Sequence, residues 1–335
     1  MKFGKSIFVL TLGLFLTFSL FAGGRGQQSS GGKIAVTFAG TEGETTGQSR
    51  AMMEIAEILN ATGRFDVKVY VADTLPGDTD NLVTQARIGV NLVVPSDPGR
   101  LASQFNIPDL NILMAPYVLT DYRLLEKLPG TALYRQWQSQ LEAQGVVLIA
   151  NMFNGYRSFY TTTQVNSVRD LSGLHIRGFG NDIGMALAKY LGFIQTTMNS
   201  TDIYLGVQAR ALDGAEIQPS AANSYRLYEV TPYLALTRHY MLQSSFVCGK
   251  VLLDSMPASD RELFLKTVND TVIKYSSIIA REEQGIYDNF RARGMTVTEV
   301  NIAEFEAAIA PLYTNNDLGL SPGLKDTLFR QLGLQ

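Results

Sequence analysis

Two histidines and a single cysteine are all that 335 residues provide of imidazole and thiol. With only His175, His239 and Cys248 to draw on, a transition-metal centre cannot be assembled. A calcium site made of carboxylates stays open, although no loop has EF-hand spacing. One cysteine also excludes an internal disulfide, so stability must come from burial. Cys248 itself lies in the strand-like run "SSFVCGK" and reads as a core residue. Positive charge is equally short: 28 Lys and Arg against 31 Asp and Glu leave a net charge of −3. That balance excludes a nucleic-acid partner. Beyond residue 21, no apolar run approaches the roughly 20 residues that a membrane span requires.

The chain opens with Lys2 and Lys5, then an apolar run over residues 7–21 and the small residues Ala22, Gly23 and Gly24. This is the pattern of a secretory signal peptide, expected at residues 1–24, with a signal anchor as the alternative. No cysteine stands near the cleavage region, so lipid attachment is not available. Residues 25–32 contain "GQQSSGG" and read as a flexible spacer. If Lys2, Lys5 and Arg25 leave with the leader, the balance moves further to the acidic side.

From residue 33 the pattern alternates between periods of two and of 3.6. Strands are expected at 33–40, 65–72, 91–96 and 146–152, with helices at 50–59, 79–87 and 132–145. A second set runs from "SFYTTT" through "LHIRG", a helix at "DIGMALAKYLG", "FIQTTM", a helix at "TDIYLGVQARAL", and "GAEIQ". Strand, helix, strand in this order implies parallel pairing in an α/β fold. Strands near Phe159 and at "HYMLQSSFVCG" flank the second set and are the natural crossings between two lobes, which would form a cleft. A helix of more than thirty residues is expected after Pro257, with a capping box at Ser259 and Glu262 and a stop at Gly294. At about 1.5 Å per residue it reaches close to 50 Å, enough to lie across both lobes. A mobile or partner-binding helix is the alternative.

Two motifs suggest catalysis or cofactors and fail on context. "GLSPG" at residues 319–323 has nucleophile-elbow spacing, but no strand precedes it, Pro322 follows the serine and no histidine lies downstream. "GFGNDIG" at 178–184 approaches a dinucleotide fingerprint, yet its last glycine is one residue late and its unit is not the first of a mononucleotide fold. The turn still opens a helix, where backbone N–H groups favour an anion. With no activated nucleophile, no paired acid and base and no metal set, no catalytic residue, metal or cofactor is assigned, and the chain does not read as an enzyme.

The informative group is Arg157 in "NGYRSFYTTT", Arg177 in "LSGLHIRGFG", Glu216 in "DGAEIQP" and His239 in "LALTRHY". Each is expected at the edge of a short strand, where strand ends meet a cleft. Phe38, Phe153 and Tyr156 fall at strand ends or loops that would line it.

"DLSGLHIRGFG", "DGAE" and "YEVTPYLALTRHY" resemble the periplasmic solute-binding proteins of tripartite ATP-independent periplasmic (TRAP) transporters, the DctP type. "NLVVPSDPGRLASQFNIPDLNILMAPYVLTDY" and the tail with "FEAAIAPLY" extend the resemblance over essentially the whole mature chain. It implies a two-lobed, type II-like periplasmic binding protein fold with crossing strands and a long C-terminal helix spanning both lobes. Lobe I is expected at 33–156 and 241–257, lobe II at 157–240, and the helix with the C-terminal segment at 258–335. The resemblance also implies a periplasmic receptor that binds a small organic acid and delivers it to membrane permease subunits. A ligand-binding sensor, or an ABC-type receptor for an anionic metabolite, is the alternative. By this resemblance Arg177 binds the ligand carboxylate, and Arg157, Glu216 and His239 form a charged network. Asn181, Ser200 and Ile217 join the expected pocket lining. Ile217 stands where the pattern has asparagine, which favours an apolar tail such as that of a branched-chain or aromatic 2-oxo acid; "DGAE" with "YEV" equally resembles sugar-acid members.

Overall fold

The computed structural model describes residues 32–72 and 74–334. The leader expected at 1–24 and the spacer expected at 25–32, Gly32 apart, lie outside the described residues. Among those described, no helix is long and apolar enough to cross a membrane.

Among the described residues, nine strands form one sheet. They are β1 (Ile34–Ala39), β2 (Phe65–Tyr70), β3 (Leu92–Ser96), β4 (Val146–Thr161), β5 (His175–Arg177), β6 (Ile194–Thr196), β7 (Gly214–Ile217), β8 (Tyr233–Gly249) and β9 (Thr296–Glu299). The order is β2-β1-β3-β8-β4-β7-β5-β6, with β9 on β8. β1 is parallel to β2 and β3, and β5 is parallel to β6 and β7, as the alternation of strands and helices predicts. The central pairs β3–β8, β4–β8 and β4–β7 are antiparallel.

β4 and β8 hold the sheet together. The sequence divides β4 into two strands, near 146–152 and near Phe159, whereas the structure shows one strand of 16 residues beside one of 17. The far ends of this ribbon pair with different neighbours. Residues 245–248 of β8 pair with β3, while residues 233–236 pair with β9. Between them the register shifts at Phe153/Tyr156 and at Arg157/Phe159. Such bulges bend a strand without ending it. Gly155 takes φ +105° there, a conformation that glycine adopts without a Cβ penalty.

The helix Ala258–Ala292 has 35 residues and crosses this bend. Its buried face enters two apolar clusters. Phe264, Val268, Val272, Tyr275 and Ile279 join the larger, and Tyr287 and Phe290 join the smaller. The capping box expected at Ser259 and Glu262 is not formed, because the helix begins earlier. Pro257 is the N-cap, and its carbonyl accepts from the amides of Asp260 (3.0 Å) and Arg261 (2.9 Å). Ser259 is therefore already inside the first turn. Leu187, Leu191 and Phe193 also belong to the larger cluster, so apolar packing continues from the first half of the sheet into the second.

Cys248 pairs with Val93 on one side and Val147 on the other, and burial pushes its thiol up to about 12. The folded protein at pH 8 should leave Cys248 unmodified by a thiol reagent that labels the urea-unfolded chain completely. Labelling at equal rates would show that this central part of the sheet opens.

Candidate functional site

Arg177 is the last residue of β5, beside Thr196 of β6 and Ala215 of β7. A short turn follows, then the helix Asp182–Leu191, whose N-cap Asn181 accepts from the Gly184 amide at 2.9 Å. The Arg177 guanidinium donates from Nε and Nη2 to the Met198 carbonyl, both at 3.1 Å, and from Nη2 to Ser200 Oγ at 3.1 Å. All of these acceptors are neutral. Burial, and next the like charge of Arg157, bring its pKa down to about 10, so it stays charged at neutral pH. Among the described residues no carboxylate forms an ion pair with it.

Arg157 is handled in the opposite way. It lies in the bent region of β4, fully buried, and its Nη2 reaches Glu216 Oε2 at 2.7 Å while Nε bonds Glu216 Oε1. Nη1 donates to Gln218 Oε1 at 2.9 Å. This is a bidentate fork with a satisfied third edge, the geometry in which a buried pair holds. Burial alone would raise the Glu216 carboxyl, but the Arg157 charge and the bonds from His239 and Arg157 outweigh it and hold the pKa at about 2.

His239 closes the network. Its Nε2 lies 3.1 Å from Glu216 Oε1 and its Nδ1 lies 2.8 Å from Thr237 Oγ1, with Phe159 stacked on the ring at 5.0 Å. Burial lowers the imidazole pKa despite Glu216, so the ring is neutral. An ionised carboxylate only accepts, which assigns the proton to Nε2 and makes Nδ1 the acceptor for the Thr237 hydroxyl. The unfolded chain binds a proton here near pH 6.5 and the folded chain only below that. The stability held by neutral His239 is therefore complete above pH 6.5 and lost as pH falls. Melting temperature should fall from pH 7.5 toward pH 5.5, and His239→Gln should flatten that fall. An unchanged slope in the variant would place the titration elsewhere.

Beside these groups is a cavity of about 60 Å³, lined in part by Glu42, Ser96, Asn154, Arg157, Arg177, Phe179, Ser200 and Gln243. The Phe179 ring takes three guanidiniums: Arg157 at 4.2 Å, Arg100 at 5.3 Å and Arg177 at 5.5 Å. Its electron-rich face offsets part of the repulsion among them.

Of the residues expected from sequence, Arg157, Arg177 and Ser200 line the cavity, and Glu216 and His239 stand directly behind Arg157. Others lie elsewhere. Ile217 is in the smaller apolar cluster, because neighbours in a strand face opposite ways and Glu216 takes the side of Arg157. Phe38 packs on Phe264 of the long helix at 6.4 Å. Phe153 is buried between Tyr122 and Tyr156. The Tyr156 hydroxyl donates to the Thr120 carbonyl at 2.6 Å. Asn181 caps its helix and abuts Gly99, where a Cβ would stand 2.7 Å from its Nδ2. The expectation that all four charged residues sit at the edges of short strands also changes, since Arg157 and His239 lie within the long ribbon.

Sequence reasoning did not single out Glu42, Asp97, Asn154, Gln218 and Gln243. The first two follow the C-terminal ends of the parallel strands β1 and β3, the position already used to find Arg177. Applied evenly, the rule reaches them. Gln218 follows β7 directly. Asn154 and Gln243 are buried polar residues within the long strands, a position that is informative once β4 and β8 are known to be continuous.

Residues 38–317 match the family described as bacterial extracellular solute-binding protein, family 7. The chain belongs to this family. It is 24% identical to the sialic acid-binding periplasmic protein SiaP of Vibrio cholerae, over 76% of this chain and 79% of that protein. It is also 24% identical to the C4-dicarboxylate-binding periplasmic protein DctP of Rhodobacter capsulatus, over 84% and 85%. Among solved structures, a TRAP periplasmic solute-binding protein from Ochrobacterium anthropi with bound L-fuconate superimposes with a TM-score of 0.84 at 21% identity, covering 90% of this chain and all of that one. The fold is thus the two-lobed fold of TRAP solute receptors. Members of this family are extracytoplasmic binding proteins rather than enzymes, and the relatives bind organic acids.

Proposed function

We propose that this protein is the periplasmic receptor of a TRAP transporter for a small organic acid, which it delivers to membrane permease subunits. The observation that carries the reading is Arg177, a buried cation at the cavity whose bonds, among the described residues, go to neutral oxygens. A carboxylate supplies the missing charge and matches the planar fork. The lobes, residues 33–156 with 241–257 against 157–240, hinge on the bulged ribbon of β4 and β8 while the long helix lies across both. At about 60 Å³ the cavity has room for a handful of waters, so a ligand of ten or more heavy atoms enters only when the lobes part. Contacts such as Tyr225 Oη to the Thr41 carbonyl, at 3.2 Å, then re-form around it. Binding shifts the hinge by preferring the closed arrangement. The apolar-tail argument from Ile217 no longer applies, because that side chain faces a core. Export through a signal peptide at 1–24 belongs to the same reading, and the mature N-terminus measured by mass spectrometry checks it. The function is tested by calorimetry with a panel of monocarboxylates, dicarboxylates and neutral sugars. Saturable binding of acids alone is expected, and binding of neutral sugars in preference to acids would refute it.

A further inference from the structure

Four buried polar atoms of residues that line the cavity have no hydrogen-bond partner among the described residues: the Ser96 hydroxyl, which can donate or accept, and three oxygens, Glu42 Oε2, Asn154 Oδ1 and Gln243 Oε1. The two amide oxygens are fixed as acceptors by what the other end of each side chain does, and the Glu42 oxygen is an acceptor in the ionised carboxylate. Glu42 Oε1 accepts from Asn154 Nδ2 and from Gln218 Nε2, both at 2.6 Å, leaving Oε2. Asn154 Nδ2 also donates to Ser244 Oγ at 3.0 Å, and Gln243 Nε2 donates to the Leu113 carbonyl. Rotating either amide would press oxygen against oxygen, so the free ends must be the acceptors.

We infer that the ligand carries hydrogen-bond donors, hydroxyl or ammonium, in addition to its carboxylate, and that Glu42 is the residue that selects for them. The inference rests on the acid-receptor reading and sharpens it to a ligand class. A buried acceptor left without a donor loses its hydration and gains nothing in return, so a cavity with three of them favours a ligand that supplies donors. A dicarboxylate or a simple 2-oxo acid offers only further acceptors, and a second carboxylate would face the Glu42 carboxyl. The wall thus rejects one class of acid while Arg177 accepts both. Burial raises the Glu42 pKa, and a ligand hydroxyl suits the carboxyl in either protonation state because it can both donate and accept.

The test is calorimetry at pH 7 with D-glucuronate and L-galactonate as hydroxy acids, 4-aminobutanoate as an ammonium acid, and succinate and 2-oxoisovalerate as acceptor-only acids. At least one donor-bearing acid should bind about a hundredfold more tightly than both acceptor-only acids. Glu42→Ala should weaken that acid at least about tenfold and narrow the ratio, with melting as the folding control. Glu42→Gln places an NH2 where Oε2 stood, so it should weaken an ammonium acid about tenfold more than a hydroxy acid, which separates the two donor sources. Tighter binding of succinate or 2-oxoisovalerate, or unchanged affinity in Glu42→Ala, overturns the assignment and leaves the acid receptor standing. Failure of every acid to bind the wild-type protein overturns both. If Glu42→Ala does not fold, the wild-type panel and Glu42→Gln still decide.

Discussion

Arg177→Lys is expected to weaken acid binding at least about tenfold, or ~1.4 kcal/mol, while the melting temperature of the ligand-free protein stays nearly the same. The guanidinium does two things at once. Nε and Nη2 tie it to the Met198 carbonyl and Ser200, and its planar fork still presents further N–H to the cavity. A lysine ammonium is a point charge that cannot hold the Met198 carbonyl and grip both oxygens of a carboxylate. Its charge is also less secure. Burial and Arg157 bring Arg177 down to about 10, and the same surroundings would act on a lysine that starts roughly two units lower. The fold should tolerate the change because no buried carboxylate loses its partner. Calorimetry on both proteins decides, and equal affinity would make Arg177 a structural residue that only braces the loop after β6.

What could be read from the sequence divides along the range of the interactions. β1, β2, β3 and the helices between them were legible because alternation and helical spacing are local, and Thr46 and Asp78 cap the helices Gly47–Ala61 and Thr79–Arg87 as those residue types do. Arg177 was legible for the same reason, as the end of a short parallel strand before a helix. The continuity of β4 was not. Asn154 and Gly155 look like a loop in sequence, and only pairing with β8, about ninety residues away, carries the strand through them. Ile217 shows the companion failure. Its place next to Glu216 was known, but the face it takes depends on Glu216 meeting Arg157 across the sheet. The start of the long helix turned on a smaller matter: the Pro257 carbonyl accepts the first helical hydrogen bonds, so the helix is under way before the serine two residues later, which residue type alone would favour as the cap.

Glu216→Gln should be the most destabilising of these changes, at about 3–5 kcal/mol, or roughly 10 °C in melting temperature. Removing the carboxylate leaves Arg157 fully buried with its charge opposed only by a neutral amide. It also disturbs His239, whose Nε2–H then faces an amide with one acceptor for two or three donors. Arg177 is nearby, and two unneutralised guanidiniums around Phe179 repel each other. The pH dependence separates this mechanism from simple loss of packing. In the native chain the carboxyl is held at about 2 against an ordinary value of 4.5, so its stabilising contribution is complete above pH 4.5 and is lost as pH falls toward 2. Acid unfolding of the wild type should therefore steepen in that window, and the glutamine variant should lack that component. Equal melting temperatures and parallel acid curves for the two proteins would mean that Arg157 does not depend on Glu216. Calorimetric binding on the surviving folded fraction then asks a second question. Arg157, freed from Glu216, would compete with Arg177 for the same carboxylate, so the variant should bind acids with altered selectivity rather than simply more weakly.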